Sequence, residues 1–316
     1  MSLPSHFISC DWGTTNFRLR LVETDSLKVI SEHKTDQGVK TLYQKFSEQN
    51  EFDQKTYYLN YLRNQIQELP AKYRHHLVIS SGMSTSNIGL LELPYAALPF
   101  DKSGETFVHR KISLGEEQEL LLISGIKSET GMMRGEEVQA LGLEEYLIPY
   151  ERGVLLLPGT HCKHISYRQG SFYALKNFMT GELFEVLGNK SILANSIEKS
   201  EWDANHKKEF LEGFHLGLTA GLTPNLLRIR ARHVVENKSK KENHFMLSGL
   251  LIGDELSYLK NTAENVFLTA PKTMIELYRT GLETFIDPSK LIVLNENILE
   301  RALLIGQRKI LEQHAT

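Results

Sequence analysis

An acid, a glycine, two threonines and an asparagine stand within six positions near the start of the chain, in FISCDWGTTNFRLRLVE (residues 7–23). A tight hairpin turn asks only for a Gly with an Asn or Asp. Thr14, Thr15 and the carboxylate of Asp11 are therefore surplus to turning. Gly13 permits close backbone approach, and Thr14, Thr15 and Asn16 carry donors, so such a corner suits phosphate oxygens. Asp11 repels phosphate directly but can hold Mg²⁺ through water, the metal then bridging to the phosphates. An Asx-stabilised turn with unrelated threonines has the same composition. A second Gly-Thr corner, Gly159-Thr160 in VLLLPGTHCKHISY, repeats the strand, corner, strand pattern and favours the phosphate reading. Neither a Walker A loop nor a Gly-x-Gly-x-x-Gly fingerprint is present, so the usual helix-start phosphate sites are not in use.

Three further clusters could act on a substrate. In MMRGEEVQALG, Glu136 and Glu137 fall at the start of a predicted helix, where the macrodipole favours carboxylates whether or not they do chemistry. If they do, one carboxylate accepts the proton of an attacking hydroxyl. Adjacent acids on a helix point apart, so only one can. Arg134 offers a two-pronged contact to a substrate carboxylate. In KNFMTGELFEVL, Thr180 reads as an N-cap with Glu182 in the first turn, a pattern that capping explains as well as ligand binding does. In SGMSTSNIG, Ser86 and Asn87 belong to a polar stretch that suits a sugar, or equally a surface loop.

These residues need elements to hold them. HFISCD and FRLRLVE read as a hairpin, with SLKVISEHKTD as a third strand. The spacing from LYQKFSEQ to QIQEL is helical and stops before Pro70. HHLVISSGM is a short apolar strand, and the Arg-Gly-Glu-Glu stretch turns helical from about Arg134. After the second corner come a strand and a helix, then three helical segments to about Tyr258. NVFLTAPKTMIELY and KLIVLNENILERALL each read as a strand followed by a helix.

The chain has 316 residues, 41% hydrophobic and 24% charged, with a formal net charge of -3. That length suits two domains better than one. No basic stripe points to nucleic acid, and the one basic cluster, RIRARH (residues 228–233), reads as a solvated helix or strand face. No apolar run approaches a membrane span, and the first residues lack the pattern of a secretory signal. The two cysteines, Cys10 and Cys162, form no framework, which with the rest predicts a cytoplasmic protein with reduced thiols. Of the 12 histidines none lies in a cluster with usual zinc spacing.

In this order, Asp-x-Gly-Thr-Thr-Asn, Arg-Gly-Glu-Glu, Pro-Gly-Thr-His-Cys-Lys, Met-Thr-Gly-Glu and Leu-Ser-Gly-Leu-Leu-Ile-Gly, the chain resembles the 2-dehydro-3-deoxygalactonokinase family of the sugar kinase, hsp70 and actin superfamily. The resemblance runs from about Phe7 to Arg308, and LPGTHCK and MRGEE are its most specific pieces. It implies an α/β fold of two ribonuclease H-like (actin-like ATPase) lobes, each a mixed five-stranded sheet flanked by helices, with the active site in the cleft between them. The lobes would divide near residue 125, residues 1–125 and 126–316, with the last helix near the lobe interface. The implied reaction is ATP- and Mg²⁺-dependent phosphorylation of the 6-hydroxyl of 2-dehydro-3-deoxy-D-galactonate, in galactonate catabolism.

By the same resemblance, Asp11 to Asn16 match the first phosphate motif and Gly159 and Thr160 the second. Glu136 matches the place of the catalytic acid, with Glu137 as the alternative, and Asp11 is the metal candidate. Arg134, His161 and Lys163 are candidates for the substrate's carboxylate and oxo group, joined by Ser86, Asn87, Thr180 and Glu182. Ala270 lies in the stretch that aligns with the adenosine motif, where Pro271 replaces a usual glycine. Leu157 stands where many superfamily members place a second acid before the Gly-Thr corner. The implied partner is a small sugar acid, with no nucleic acid or membrane, and the resemblance is compatible with a homodimer. Another kinase of this fold acting on a different sugar, or a nucleotide- and sugar-binding regulator that transfers nothing, would share most of these features.

Overall fold

The computed structural model describes residues 3–115 and 118–315. The chain forms two compact units. Unit 1 comprises Met1–Pro149, Arg168–Leu175 and Asn297–Thr316; unit 2 comprises Tyr150–Tyr167 and Lys176–Glu296. This partition differs from a single cut near residue 125: the stretch carrying Arg134, Glu136 and Glu137 and the C-terminal helix both cluster with unit 1.

Unit 1 opens with strands β1 (His6–Trp12), β2 (Phe17–Glu23) and β3 (Val29–Thr35), helices α1 (Val39–Ser47) and α2 (Gln54–Ile66), and strand β4 (Val78–Gly82). Two short strands, β5 (Ala96–Ala97) and β6 (Phe100–Asp101), precede β7 (His109–Ser113) and β8 (Glu119–Ile123). Then come β9 (Ile126–Lys127), β10 (Met132–Met133) and α3 (Glu136–Leu147). The main sheet runs β3-β2-β1-β4-β8-β7. β1, β2 and β3 pair antiparallel, and β1, β4 and β8 pair parallel, which is the ribonuclease H-like order. Five strands were expected; β7, antiparallel to β8, adds a sixth at the edge. The central strands are apolar runs because both faces are covered: Ile8, Cys10, Val78, Ile79 and Leu120 to Ile123 have no exposed surface. A small sheet, β10-β9-β5, leads the chain into α3.

The single helical stretch expected before Pro70 is two helices. Asp53 accepts a hydrogen bond from the Thr56 amide at 3.0 Å and starts α2 afresh, an Asp-x-x-Thr signal that was present in the sequence.

Unit 2 has β11 (Arg152–Leu157), β12 (Cys162–Arg168) up to Tyr167, the last residues of β13 (Ser171–Phe178), α4 (Thr180–Lys190), α5 (Lys207–Ala220), α6 (Leu226–Val234) and α7 (Lys240–Leu256). It ends with β14 (Asn265–Leu268), α8 (Lys272–Leu282) and β15 (Leu291–Val293). Its strands run β15-β14-β11-β12-β13, and β14 lies parallel to both β11 and β15. Ser171 and Phe172, at the start of β13, themselves fall in unit 1 and pair there with β6. The helix after β15, α9 (Glu296–Ala315), returns to unit 1.

Glycines set the helix spacing in both units. A Cβ on Gly249 of α7 would stand 1.9 Å from the Phe210 carbonyl oxygen of α5, and one on Gly142 of α3 1.8 Å from the Ala302 carbonyl oxygen of α9. Gly249→Ala is therefore expected to destabilise by ~1–3 kcal/mol through overpacking. The check is thermal melting, where a melting temperature unchanged from wild type would contradict it.

The RIRARH cluster lies on α6, but it is not wholly a solvated face. Arg232 is buried and pairs with Glu212 at 2.7 Å. Both cysteines are buried and free, and burial pushes each thiol up to about 12. No helix among the described residues is long and apolar enough to cross a membrane.

Candidate active site

The first corner joins β1 to β2. Trp12 anchors it: the indole is fully buried, packs on Phe17, Tyr58 and Tyr61, and donates to the Gln37 carbonyl at 3.3 Å. The corner is then held from behind by the first turn of α1. Gly38, Val39 and Lys40 donate their amides to the carbonyls of Thr15, Gly13 and Thr14 at 3.2, 2.9 and 3.1 Å. In a trans peptide the N–H points opposite to the C=O. Carbonyls turned toward α1 thus turn the amides of Thr14, Thr15 and Asn16 the other way, the arrangement that binds anions. Beside them lies a cleft of about 370 Å³ lined by Asp11, Gly13, Thr15, Asn16, Arg18 and Lys34.

Asp11 faces Arg18 across the hairpin, 3.0 Å away, and Arg18 also holds Glu300 of α9 at 2.9 Å. Neither Arg18, Gly38 nor Glu300 stood out in the sequence. Arg18 is part of a strand's polar alternation, and Glu300 is too distant in the chain for any local pattern to pair them.

The register carries the corner on to the second cluster. Asp11 lies opposite Ser81 and Trp12 opposite Gly82 on the parallel strand β4. Gly82 turns with φ +93°, and a side chain there would strike the Trp12 carbonyl, so both the turn and the space require glycine. Gly135, with φ +117°, comes so close that a Cβ on it would lie 3.4 Å from the Gly82 Cα. The Asp11 corner, the end of β4 and the start of α3 are thus neighbours in unit 1. The stretch after β4 is tightly folded: Ser84, Thr85 and Ser86 are buried, and the Ser86 hydroxyl donates to the Met83 carbonyl at 2.8 Å. Asn87 is exposed. Arg134 is fixed by Thr85, whose carbonyl and hydroxyl both accept from Nη1 at 2.5 Å, and by Tyr95, whose ring lies 4.1 Å from the guanidinium carbon.

Both glutamates turn back on the backbone ahead of α3. Glu136 accepts from the Arg134 amide at 3.1 Å and is half-buried. Glu137 accepts from the Gly135 amide with both oxygens, at 2.7 and 2.8 Å, and is fully buried. Burial, and then the neighbouring Glu136, push the Glu137 carboxyl up to about 8, outweighing the Gly135 amide. A carboxyl raised in the fold favours the protonated state. The stability it contributes is complete below the ordinary carboxylate range and is lost as pH rises through about 8. Wild type should therefore lose stability relative to Glu137→Gln between pH 5.5 and 8.5, by up to ~1.4 kcal/mol per pH unit. Parallel melting profiles for the two proteins would overturn this.

In unit 2, the corner at Gly159 and Thr160 follows β11 and leads into β12. It too is backed by a glycine at a helix start. A Cβ on Gly181 of α4 would stand 2.6 Å from the Gly159 carbonyl oxygen, and the Glu182 amide donates to the Thr160 carbonyl at 3.0 Å. A cavity of about 440 Å³ adjoins the corner, lined by Thr180, Gly181, Trp202, Phe245, Ser248 and Tyr278 among others. Thr180 does not cap α4, as the sequence suggested. Met179 holds the N-cap position, and the Thr180 hydroxyl donates instead to the buried carboxylate of Glu255.

His161 pairs with Glu182 at 2.5 Å, and Lys163 is buried with its ammonium 2.8 Å from the His161 carbonyl. Ala270 is fully buried, and Pro271 takes the N-cap position of α8. Of the substrate candidates, Ser86, Asn87 and Arg134 thus belong to unit 1, and His161, Lys163, Thr180 and Glu182 to unit 2.

Among the described residues no group of three His, Cys, Asp or Glu side chains could hold a metal by itself. Asp11, with 36% of its side chain exposed, opens on the cleft beside Thr15 and Asn16. A single partly exposed carboxylate fits a hydrated ion that arrives with phosphates.

A model of the 2-keto-3-deoxy-galactonokinase family matches residues 11–304. A 2-dehydro-3-deoxygalactonokinase of Escherichia coli (strain K12) is 28% identical over 268 residues, 82% of each chain. A protein of Rhizobium meliloti (strain 1021), provisionally given the same name, is 25% identical over 294 residues, 90% of this chain and 91% of that one. A crystal structure from Sinorhizobium meliloti, also provisionally so named, superimposes with a TM-score of 0.80 over 96% of this chain and 98% of its own. At 23% identity that likeness establishes the fold. The match along nearly the whole chain, on this fold, makes the protein a member of the 2-keto-3-deoxy-galactonokinase family.

Proposed function

We propose that the chain transfers the γ-phosphoryl group of ATP to the 6-hydroxyl of 2-dehydro-3-deoxy-D-galactonate, a step of galactonate catabolism. The family supplies the reaction class, and the repeated corner carries the choice of a nucleotide as donor. Each unit presents a Gly-Thr turn backed by a helix start that a glycine brings close: three carbonyls are drawn back at the first corner, and the Thr160 carbonyl at the second. Phosphoryl transfer is catalysed mainly by positioning and by neutralising charge, and these corners offer amide and hydroxyl donors for both tasks. A magnesium ion held through water at Asp11 would neutralise charge on the phosphates.

Glu136 accepts the proton of the 6-hydroxyl as its oxygen attacks the γ-phosphorus and the bond to the bridging oxygen of ADP breaks. Arg134, held by Tyr95 and Thr85, presents the rest of its guanidinium to the sugar acid's carboxylate. Ser86 and Asn87 are the further polar candidates in unit 1, and His161, Lys163 and Glu182 those in unit 2; the Thr180 hydroxyl is bonded to Glu255 instead. Ala270, fully buried just ahead of α8, is the candidate for the nucleotide in unit 2.

The test is ADP release from Mg²⁺-ATP with 2-dehydro-3-deoxy-D-galactonate, run beside its gluconate epimer and D-glucose. Release with the galactonate compound alone supports the reading. Equal turnover of D-glucose would remove the role given to Arg134. Nucleotide binding without release from any of the three would make the protein a non-catalytic binder.

A further inference from the structure

Behind the second corner lies a buried polar cluster that no step above uses. Glu255, on α7, is 2% exposed and does not line the cavity beside the corner. Its Oε1 accepts from His164 of β12 at 2.8 Å. Its Oε2 accepts from the Thr180 hydroxyl of α4 and, at 2.8 Å, from the Tyr278 hydroxyl of α8. His164 in turn meets the Tyr258 hydroxyl at 2.8 Å through its other ring nitrogen. One carboxylate therefore gathers three elements around itself and leaves neither oxygen bare.

Two of those groups are walls of the cavity. Thr180 and Tyr278 both line it, and both are fixed by Glu255 from the far side. Two routes also run from Glu255 to the corner itself. Through Thr180 it fixes the first residue of α4, next to Gly181, which packs on Gly159 and Thr160. Through Tyr278 it reaches the Cys162 sulfur at 3.2 Å, which lies 3.5 Å from the Gly159 carbonyl oxygen. The corner, the helix start that backs it and two cavity walls thus share one anchor.

We infer that Glu255 is a positioning residue for the nucleotide. It holds the start of α4 and the Tyr278 hydroxyl so that the Gly159-Thr160 corner and the adjoining cavity keep the shape that receives the phosphates and base. The inference rests on the reading of that cavity and corner as the nucleotide site. It assigns Glu255 no contact with ATP or with the sugar acid.

The test uses the full chain with Glu255→Gln, which keeps the shape and removes the charge. Thr180→Val and Tyr278→Phe each delete one hydroxyl. Affinity for a non-hydrolysable ATP analogue is measured by calorimetry, the KM values for ATP and for the sugar acid by ADP release, and folding by thermal melting. Small misplacement near reacting groups has large kinetic effects. Glu255→Gln should weaken the analogue and raise the KM for ATP by ~10-fold or more, leaving the KM for the sugar acid unchanged. The two hydroxyl deletions should show the same split more weakly.

Folded variants that bind the analogue as wild type does, or that raise both KM values together, would reduce Glu255 to a structural residue. If Glu255→Gln does not fold, Thr180→Val and Tyr278→Phe decide the question by the same readouts. If wild type binds the analogue but turns over no sugar acid, the proposed reaction fails, while calorimetry still tests the role of Glu255. If wild type binds no analogue, the nucleotide reading of the cavity fails and this inference with it.

Discussion

Glu136→Gln is expected to lower turnover by ~10²-fold or more while leaving affinity for an ATP analogue unchanged. Two adjacent carboxylates stand at the start of α3, and their surroundings differ. Glu137 is fully buried, with both oxygens on the Gly135 amide, and is pushed up to about 8. A group so placed is largely protonated at neutral pH and has no oxygen turned to an incoming hydroxyl. Glu136 is half-buried and has one oxygen on the Arg134 amide. Gln at 136 keeps that acceptor, so the helix start should survive and the loss should fall on kcat. Glu137→Gln should instead keep turnover near wild type at pH 7 and act on the pH dependence of stability. The reverse outcome, with turnover lost in Glu137→Gln and kept in Glu136→Gln, would exchange the two roles. Melting curves for both variants separate a lost base from a lost fold.

The parts of this protein that could be read from its sequence are those written locally. The strand, corner, strand pattern at Asp11 to Asn16 and again at Gly159-Thr160 is carried by period-two alternation and turn residues, and the chain turns at both places. The helix start at Glu136 was legible for the same reason. What was hidden depends on residues far apart in the chain. Arg18 meets Glu300, and Glu255 meets His164, Thr180 and Tyr278, because the fold brings separate elements together, and no spacing rule encodes such meetings. Thr180 shows how a local rule loses to a tertiary partner. Threonine before an acidic first turn is a good cap, yet the buried carboxylate of Glu255 takes its hydroxyl. The polar run after β4 left a sugar site and a surface loop equally open in the sequence; its serines are buried, which a plain surface loop does not explain, and Thr85 fixes Arg134.

Gly38→Ala and Gly181→Ala are each expected to weaken an ATP analogue by ~10-fold or more in a protein that still folds. The requirement at Gly38 is steric. Its φ of -65° and ψ of 171° suit any residue, but a Cβ would stand 2.3 Å from the Thr15 carbonyl carbon and 2.4 Å from the Thr14 carbonyl oxygen. Those are backbone atoms, which cannot swing aside as a side chain can. Either α1 or the corner must move, stretching the three hydrogen bonds from the amides of Gly38, Val39 and Lys40 that draw the carbonyls of Gly13, Thr14 and Thr15 back and so aim the opposite amides. At Gly181 the same conflict falls on the Gly159 carbonyl oxygen at 2.6 Å and the Thr160 Cα at 2.8 Å. Gly188, on the same helix α4, has nothing within 4 Å of where a Cβ would be, so Gly188→Ala is the control and should bind the analogue as wild type does. Loss of stability with unchanged affinity in Gly38→Ala and Gly181→Ala would make these glycines packing residues only. Loss of affinity in both would mean that each unit aims its corner by the same device, a helix start brought close enough by glycine to turn the carbonyls away from the phosphates.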